Sequence, residues 1–225
     1  MKKHGRLVSV VTADVIDSRQ YRQTERSRLD KAIRSGFLEL RKRYRRDLGS
    51  PLGFRFTAGD EFQWVVSNPS RVLEIVIYMR AVLAIQKFDP PARFRASVGV
   101  GEATVAKRGN PYAEDGPAFV RSREGLNVLL LTDRPKRWTK LVTGKRDPDD
   151  SLDVILSFLD YLQQRWTRAQ WEAVRWTLVG LKREQIASEI NVAHQNVTKR
   201  LAAAEWDRFR GALYHVSSLL DRLAP

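Results

Sequence analysis

Two short segments hold the residues whose types and spacing point most directly to chemistry: V-T-A-D-V-I-D-S-R at 11–19 and F-R-F-T-A-G-D-E-F-Q at 54–63. In the first, an apolar run (Leu7, Val8, Val10, Val11) leads into Asp14, with Asp17, Ser18 and Arg19 just beyond. In the second, Phe54, Phe56 and Ala58 alternate up to a turn at Gly59-Asp60, and Glu61 opens a return run of Phe62, Trp64 and Val66. Hard divalent cations such as Mg²⁺ or Mn²⁺ take carboxylate oxygens and share the phosphate oxygens of a nucleotide. Two aspartates on neighbouring strand ends are a minimal way to build such a site. We therefore expect Asp14 and Asp60 as metal ligands, with Asp17 and Glu61 as second choices. Ser18 and Arg19 stand where a helix start would offer backbone N–H groups to phosphate. Turn capping is the alternative use of all these side chains.

The elements that must position them follow from periodicity. Residues 6–13 read as a buried strand. Over 22–47, Leu29, Ile33, Phe37, Leu40 and Tyr44 recur three or four apart, an apolar stripe on a long helix that Gly49-Ser50-Pro51 ends. Segments 53–58 and 61–67 form a hairpin. Asn68-Pro69-Ser70 starts a second helix, which Asp89-Pro90-Pro91 breaks. R-F-R-A-S-V-G-V-G at 93–101 is a fourth strand, 106–116 a glycine- and charge-rich loop, 117–132 a helix and 140–143 a short last strand. Gly99 and Gly101 permit either a close backbone approach or a bulge. Strand, helix, strand, strand, helix, strand is the split βαβ, or ferredoxin-like, order, which sets the first strand beside the hairpin. G-K-R-D-P-D-D at 144–150 reads as a linker, dividing the chain into 1–145 and an all-helical 146–225. The expected fold class is α+β.

Within the helical part, K-R-E-Q-I-A-S-E-I-N-V-A-H-Q-N-V-T-K-R-L at 182–201 fits a helix-turn-helix. Ile186 and Ala187 supply an apolar and a small residue for close crossing. Asn191 tolerates the left-handed turn, and Val192, Val197 and Leu201 anchor the second helix. That exposes His194, Gln195, Asn196, Thr198, Lys199 and Arg200. Gln and Asn pair with adenine, and Lys and Arg with guanine or phosphate, so the partner expected is double-stranded DNA. An ordinary helical hairpin with a polar face is the alternative. Ala193 departs from the pattern, standing where a capping Ser or Thr is usual. Trp166, Trp171 and Trp176 read as core of the helices.

Composition sets the bounds. The 225 residues hold no cysteine, so disulfides and thiolate metal sites are excluded, and His4, His194 and His215 form no metal-spaced set. No segment approaches a membrane span or a signal peptide, and we expect a cytoplasmic protein. The net charge is +14, and residues 146–225 carry eleven Lys/Arg and eleven Asp/Glu, so the whole excess lies in 1–145. Such a field favours polyanions. The neutral helical part alone should bind DNA weakly, because phosphate contacts supply most affinity. A homodimer or the basic N-terminal part would have to help.

T-A-D-V-I-D-S-R, F-T-A-G-D-E-F-Q, S-V-G-V-G and D-G-P-A-F-V-R-S-R-E-G-L, followed by the helix-turn-helix, resemble the SatD family of bacterial proteins over nearly the whole chain. More distantly, the N-terminal part is similar to class III nucleotide cyclases and GGDEF diguanylate cyclases, whose palm domains hold metal on two acidic positions. That resemblance puts Asp14 and Asp60 on those positions, makes the Val15 carbonyl a further ligand, and matches Ala58-Gly59-Asp60-Glu61-Phe62 to the GGDEF turn. It implies a nucleotide partner near Ser18, Arg19 and Gly59. It also shows departures. Phe56 stands where class III adenylyl cyclases have a base-reading Lys, and Val120 and Glu124 where they have a transition-state Asn and Arg. Arg121 and Arg123 lie one or two residues away and are the candidates to substitute for them in binding a nucleotide. Three classes of function follow: a DNA-binding regulator with a degenerate cyclase-like sensor, an active metal-dependent nucleotidyl cyclase or transferase with an accessory helical part, and an interaction protein. The missing Lys and Asn favour the first over the second.

Overall fold

The computed structural model describes residues 6–48, 54–104, 115–131 and 136–223. The helix stop read at Gly49-Ser50-Pro51, most of the 106–116 loop, and His4 lie outside the described residues. Among them, five strands form one sheet: β1 (Arg6–Val15), β2 (Arg55–Ala58), β3 (Glu61–Val66), β4 (Phe94–Ala103) and β5 (Thr139–Val142), in the order β2-β3-β1-β4-β5. β1 is antiparallel to both β3 and β4, β2 is antiparallel to β3, and β5 runs parallel to β4. Among the described residues eight α-helices accompany the sheet: α1 (Gln23–Arg43), α2 (Val72–Ala84), α3 (Pro117–Leu131), α4 (Arg146–Arg165), α5 (Arg168–Leu178), α6 (Arg183–Glu189), α7 (His194–Ala203) and α8 (Trp206–Asp221). This mixture of sheet and segregated helices is compatible with the α+β class expected. No helix among the described residues is long and apolar enough to cross a membrane.

Alternation along β1 gives the sheet two different faces. Val11, Ala13 and Val15 point into a core built with α1 and α2, where the expected stripe of Leu29, Ile33, Phe37, Leu40 and Tyr44 is buried. Each such apolar side chain stabilises by about 1.5–3 kcal/mol relative to exposure. Val8 and Val10 point the other way, against α3. There α3 lies on the sheet at backbone distance. A Cβ on Gly99 would sit 2.1 Å from the Ala118 carbonyl oxygen and 2.4 Å from the Ser122 nitrogen. Of the two readings of Gly99 and Gly101, close backbone approach is therefore the one observed.

The apolar core on the α1–α2 face continues without a break into α4, α5, α7 and α8. A polar clasp reinforces the junction. Arg80, on α2, is buried at 3% exposure and donates to the Thr139 hydroxyl (2.8 Å), Gln163 Oε1 (3.0 Å) and the Trp138 carbonyl (2.6 Å). Asp160, on α4, accepts from the Trp138 and Thr139 amides (both 2.8 Å) and the Thr139 hydroxyl (2.6 Å), with Arg80 at 3.8 Å. Burial pushes Asp160 up, opposed by Arg80 and these donors. Burial likewise pulls Arg80 down to about 10, so it keeps its charge at neutral pH.

The linker reading of 144–150 needs correction. Helix α4 already begins at Arg146. Pro148 falls in its first turn, where a missing N–H costs no helical bond. Asp149 accepts from the amide (2.8 Å) and hydroxyl (2.7 Å) of Thr143, tying the helix start to the end of β5. Turn-type residues were being used as a clasp.

Candidate functional site

The first cluster forms on the α3 side of the sheet. β1 pairs Asp14 with Glu61 across to β3 and with Arg95 across to β4, so three charged side chains share one face at the strand ends. Asp60 joins them from the turn, where Gly59 takes φ 57°. Asp14 is 14% exposed in its side chain and stands 3.7 Å from Arg95 Nε. Arg95 also donates to the Leu129 carbonyl of α3 at 3.2 Å. Glu61 accepts from Arg123 of α3 at 2.6 Å. Burial, then the Asp60 carboxylate, raises Asp14 to about 6, with Arg95 opposing and Glu61 adding. Negative charge is thus held in excess of what the two arginines neutralise at Asp14.

A polar chain leads inward from this cluster. Arg55 donates to Gln63 Oε1 at 2.5 Å, and Gln63 Nε2 donates to Thr12 Oγ1 at 2.9 Å. The hydroxyls of Thr12 and Ser122 meet at 2.9 Å, and Ser122 donates to the Phe119 carbonyl at 2.9 Å. With the Ser122 proton on Phe119, the Thr12 hydroxyl donates to Ser122 while accepting from Gln63. The chain is directional and fixes α3 over the acidic rim.

Not every candidate lies here. Val15, expected to contribute its carbonyl, ends β1 next to Asp14 and packs its side chain into the opposite core. Asp17 is exposed, with φ 56°, and opens a 3₁₀ turn over Ser18–Gln20 without a side-chain cap. That turn replaces the helix start expected at Ser18 and Arg19, and the Arg19 carbonyl accepts from Arg26 at 3.3 Å. Arg121 is engaged elsewhere: it donates to the Val100 carbonyl at 2.6 Å and borders a hollow with Leu7, Gly101 and Lys145. Val8 lies opposite Gly101, which puts that hollow six residues, or about 20 Å, along β1 from Asp14. Phe56 faces the α1 side among Phe54 and Phe62, under the Arg34 guanidinium. Val120 is 52% exposed, and Glu124 is exposed. Among the described residues no three His, Asp or Glu side chains form a group that would hold an ion by themselves.

Sequence reading missed Arg95, Thr12, Gln63 and Ser122. The signal was present in the strands: polar residues two apart, Thr12 with Asp14, Glu61 with Gln63 and Arg95 with Ser97, on segments otherwise buried.

The second site is on α6 and α7. Ile186 and Ala187 are buried, and Asn191 takes φ 51° in the turn between the helices. Val197 and Leu201 bury the inner face of α7. Ala193 makes no side-chain cap, leaving the Asn196 amide on its backbone carbonyl at 2.9 Å. His194, Gln195, Asn196 and Lys199 are exposed, and Thr198 is half-buried. Arg200 pairs with Glu172 of α5 at 2.9 Å, and His194 stands 3.4 Å from Glu184. Helix α5 in turn holds α1: Arg175 meets Glu39 at 2.5 Å, and Arg43 covers the Trp176 ring. The exposed basic run Arg41, Lys42, Arg43, Arg45 and Arg46 is therefore attached to the neighbour of α7.

The family model described as the SatD family matches residues 8–209. No curated protein matches the chain.

Proposed function

The chain belongs to the SatD family, and we propose that it is a DNA-binding regulatory protein, with α6 and α7 as a helix-turn-helix and α7 as its recognition helix. The observation that carries this reading is the exposed row of Gln195, Asn196 and Lys199 on a helix whose other face is anchored by Val197 and Leu201. These types at these positions match direct readout in a major groove. The neutral charge of the helical part is offset by its neighbours. The basic end of α1, held to α5 through Glu39 and Arg43, brings cations to the side of the molecule that α7 joins through Arg200 and Glu172. We take the DNA to be double-stranded and the protein to bind it as a homodimer.

The full-length protein should bind duplex DNA selected from a random pool, with affinity falling steeply as salt rises. Substituting Gln195, Asn196, Lys199 and Arg200 together by alanine should abolish sequence preference. Unchanged capture of the selected duplex by that variant would refute the assignment.

For the N-terminal part we propose a ferredoxin-like, cyclase-like palm that senses rather than turns over a nucleotide. The strand order, with β1 between β3 and β4, supports the palm. The raised carboxyl of Asp14 beside Asp60 supports a cation there, since a cation would relieve the repulsion that burial intensifies. Asp14 and Asp60 would hold Mg²⁺ or Mn²⁺, completed by phosphate and water oxygens. Phe56, packed into the α1 core, leaves no base-reading group at its position, and this weighs against the cyclase alternative. A nucleoside triphosphate with Mn²⁺ should raise the melting temperature of the wild type, and Asp60→Asn should remove that rise. Rapid metal-dependent conversion of ATP or GTP to a cyclic or linked product would favour the enzyme instead.

A further inference from the structure

A cleft of about 580 Å³ opens between the sheet and the C-terminal helices, on the face of the sheet opposite Asp14 and Glu61. It is bounded by the end of α2, the segment entering β4, Trp138 before β5, the end of α4 and the start of α5. Protein interiors rarely leave voids larger than a water molecule, and this volume lies within the range of small-ligand pockets. Its walls are aromatic: Phe88, Phe94 and Trp138 on the sheet side, Trp166 and Trp171 on the helical side. All five are buried side chains held in place by their neighbours. Trp166 and Trp171, for instance, meet edge to face at 4.6 Å, and Trp166 Nε1 donates to the Ala204 carbonyl at 2.9 Å.

Cationic groups line the same space. Arg80, 3% exposed, closes the floor, its charge already met by Asp160 at 3.8 Å and its terminal nitrogens already used. Lys87, Arg93 and Arg168 stand exposed at the rim, against the two carboxylates of Glu25 and Asp89. Helix α5, eleven residues long, also begins there, with its cap Thr167 and first residue Arg168 on the cleft; a capping box closes that end, the Gln170 amide donating to Thr167 Oγ1 (3.3 Å) and the Thr167 amide to Gln170 Oε1 (2.7 Å), so what it adds is the dipole of the helix.

We propose that this cleft binds a small planar aromatic anion. Flat apolar walls take the ring system, and the cations of the rim take its charge. An occupant would touch the sheet through Trp138 and Phe94 and the helices through Trp166 and Trp171. It would therefore brace α4 and α5 against the sheet. α5 is also the helix to which Arg200 of α7 is paired, so occupancy bears on the position of α7.

Calorimetric titration of the full-length chain tests this with 2-naphthoate, its neutral analogue 2-naphthamide, and acetate. The expected result is saturable 1:1 binding of naphthoate, with naphthamide about fivefold or more weaker and acetate silent. The double variant Lys87→Ala/Arg168→Ala changes only exposed side chains that rest on none of the aromatic walls. It should weaken naphthoate about three- to fivefold and leave naphthamide unchanged. Ala84→Phe, which fills the cleft from the end of α2, should abolish both. Absence of saturable naphthoate binding, equal affinity for naphthoate and naphthamide, or naphthoate binding that the Lys87/Arg168 variant leaves unaltered would each overturn the proposal.

Discussion

Asp14→Asn should make the protein more stable at pH 7.5, a direction opposite to the usual outcome of altering a half-buried charged residue. The Asp14 carboxyl is raised from 3.8 to about 6 in the fold, by burial first and by Asp60 second, with Arg95 only partly compensating. The folded chain therefore holds this proton more tightly than the unfolded chain does. That stabilisation is complete below about pH 4 and is lost as pH rises through 6, so at pH 7.5 the ionised carboxylate is a net cost. A shift of about two units corresponds to about 3 kcal/mol. Solvent reaches part of the site, so screening reduces the cost to about 1 kcal/mol. An amide of the same shape removes it, and for a chain of this size that is a gain of about 2–4 °C in melting temperature. At pH 4, where the wild-type carboxyl is already neutral, the two proteins should melt together. Thermal denaturation followed by circular dichroism between pH 4 and 8 measures the difference directly. Added Mn²⁺ should reverse the ranking at pH 7.5, because only the wild type keeps both carboxylates. A variant destabilised equally at both pH values would refute the reasoning, for it would mean that the Arg95 pairing outweighs burial and repulsion.

Asp160→Ala leaves Arg80 charged and buried without its counter-ion and strips acceptors from the Trp138 and Thr139 amides; urea unfolding should show a loss of about 3–5 kcal/mol. Gly99→Ala drives a methyl group onto the Ala118 carbonyl at 2.1 Å, so α3 must shift; a loss of about 1–3 kcal/mol is expected, and an unchanged midpoint would contradict the packing described. On the selected duplex, Gln195→Ala or Asn196→Ala should relax preference at one base position by about 1–3 kcal/mol in competition binding. Lys199→Ala should weaken all sequences alike and lower the salt slope by about one.

Much of this protein was legible in its residues because the information is local. The spacing of Leu29, Ile33, Phe37, Leu40 and Tyr44 dictates one buried helix face whatever packs on it. Alternation around Gly59-Asp60 dictates a hairpin, and Asn191 between two short apolar-anchored helices dictates the turn there. Asp14 and Asp60 could likewise be placed at strand ends from sequence. What charge each carries could not, because burial and the separation of Asp14 from Asp60, Arg95 and Glu61 depend on how three strands register. Arg121 and Arg123 look interchangeable in sequence, yet a rotation of two residues about α3 sends one to the Val100 carbonyl and the other to Glu61. Arg80 and Asp160 are eighty residues apart, and Gly144–Asp150 has the composition of a linker. Only the packed molecule makes the first pair a clasp and the second stretch a helix start, because a buried charge or an Asp149 cap has meaning only once the groups that satisfy it have been brought together.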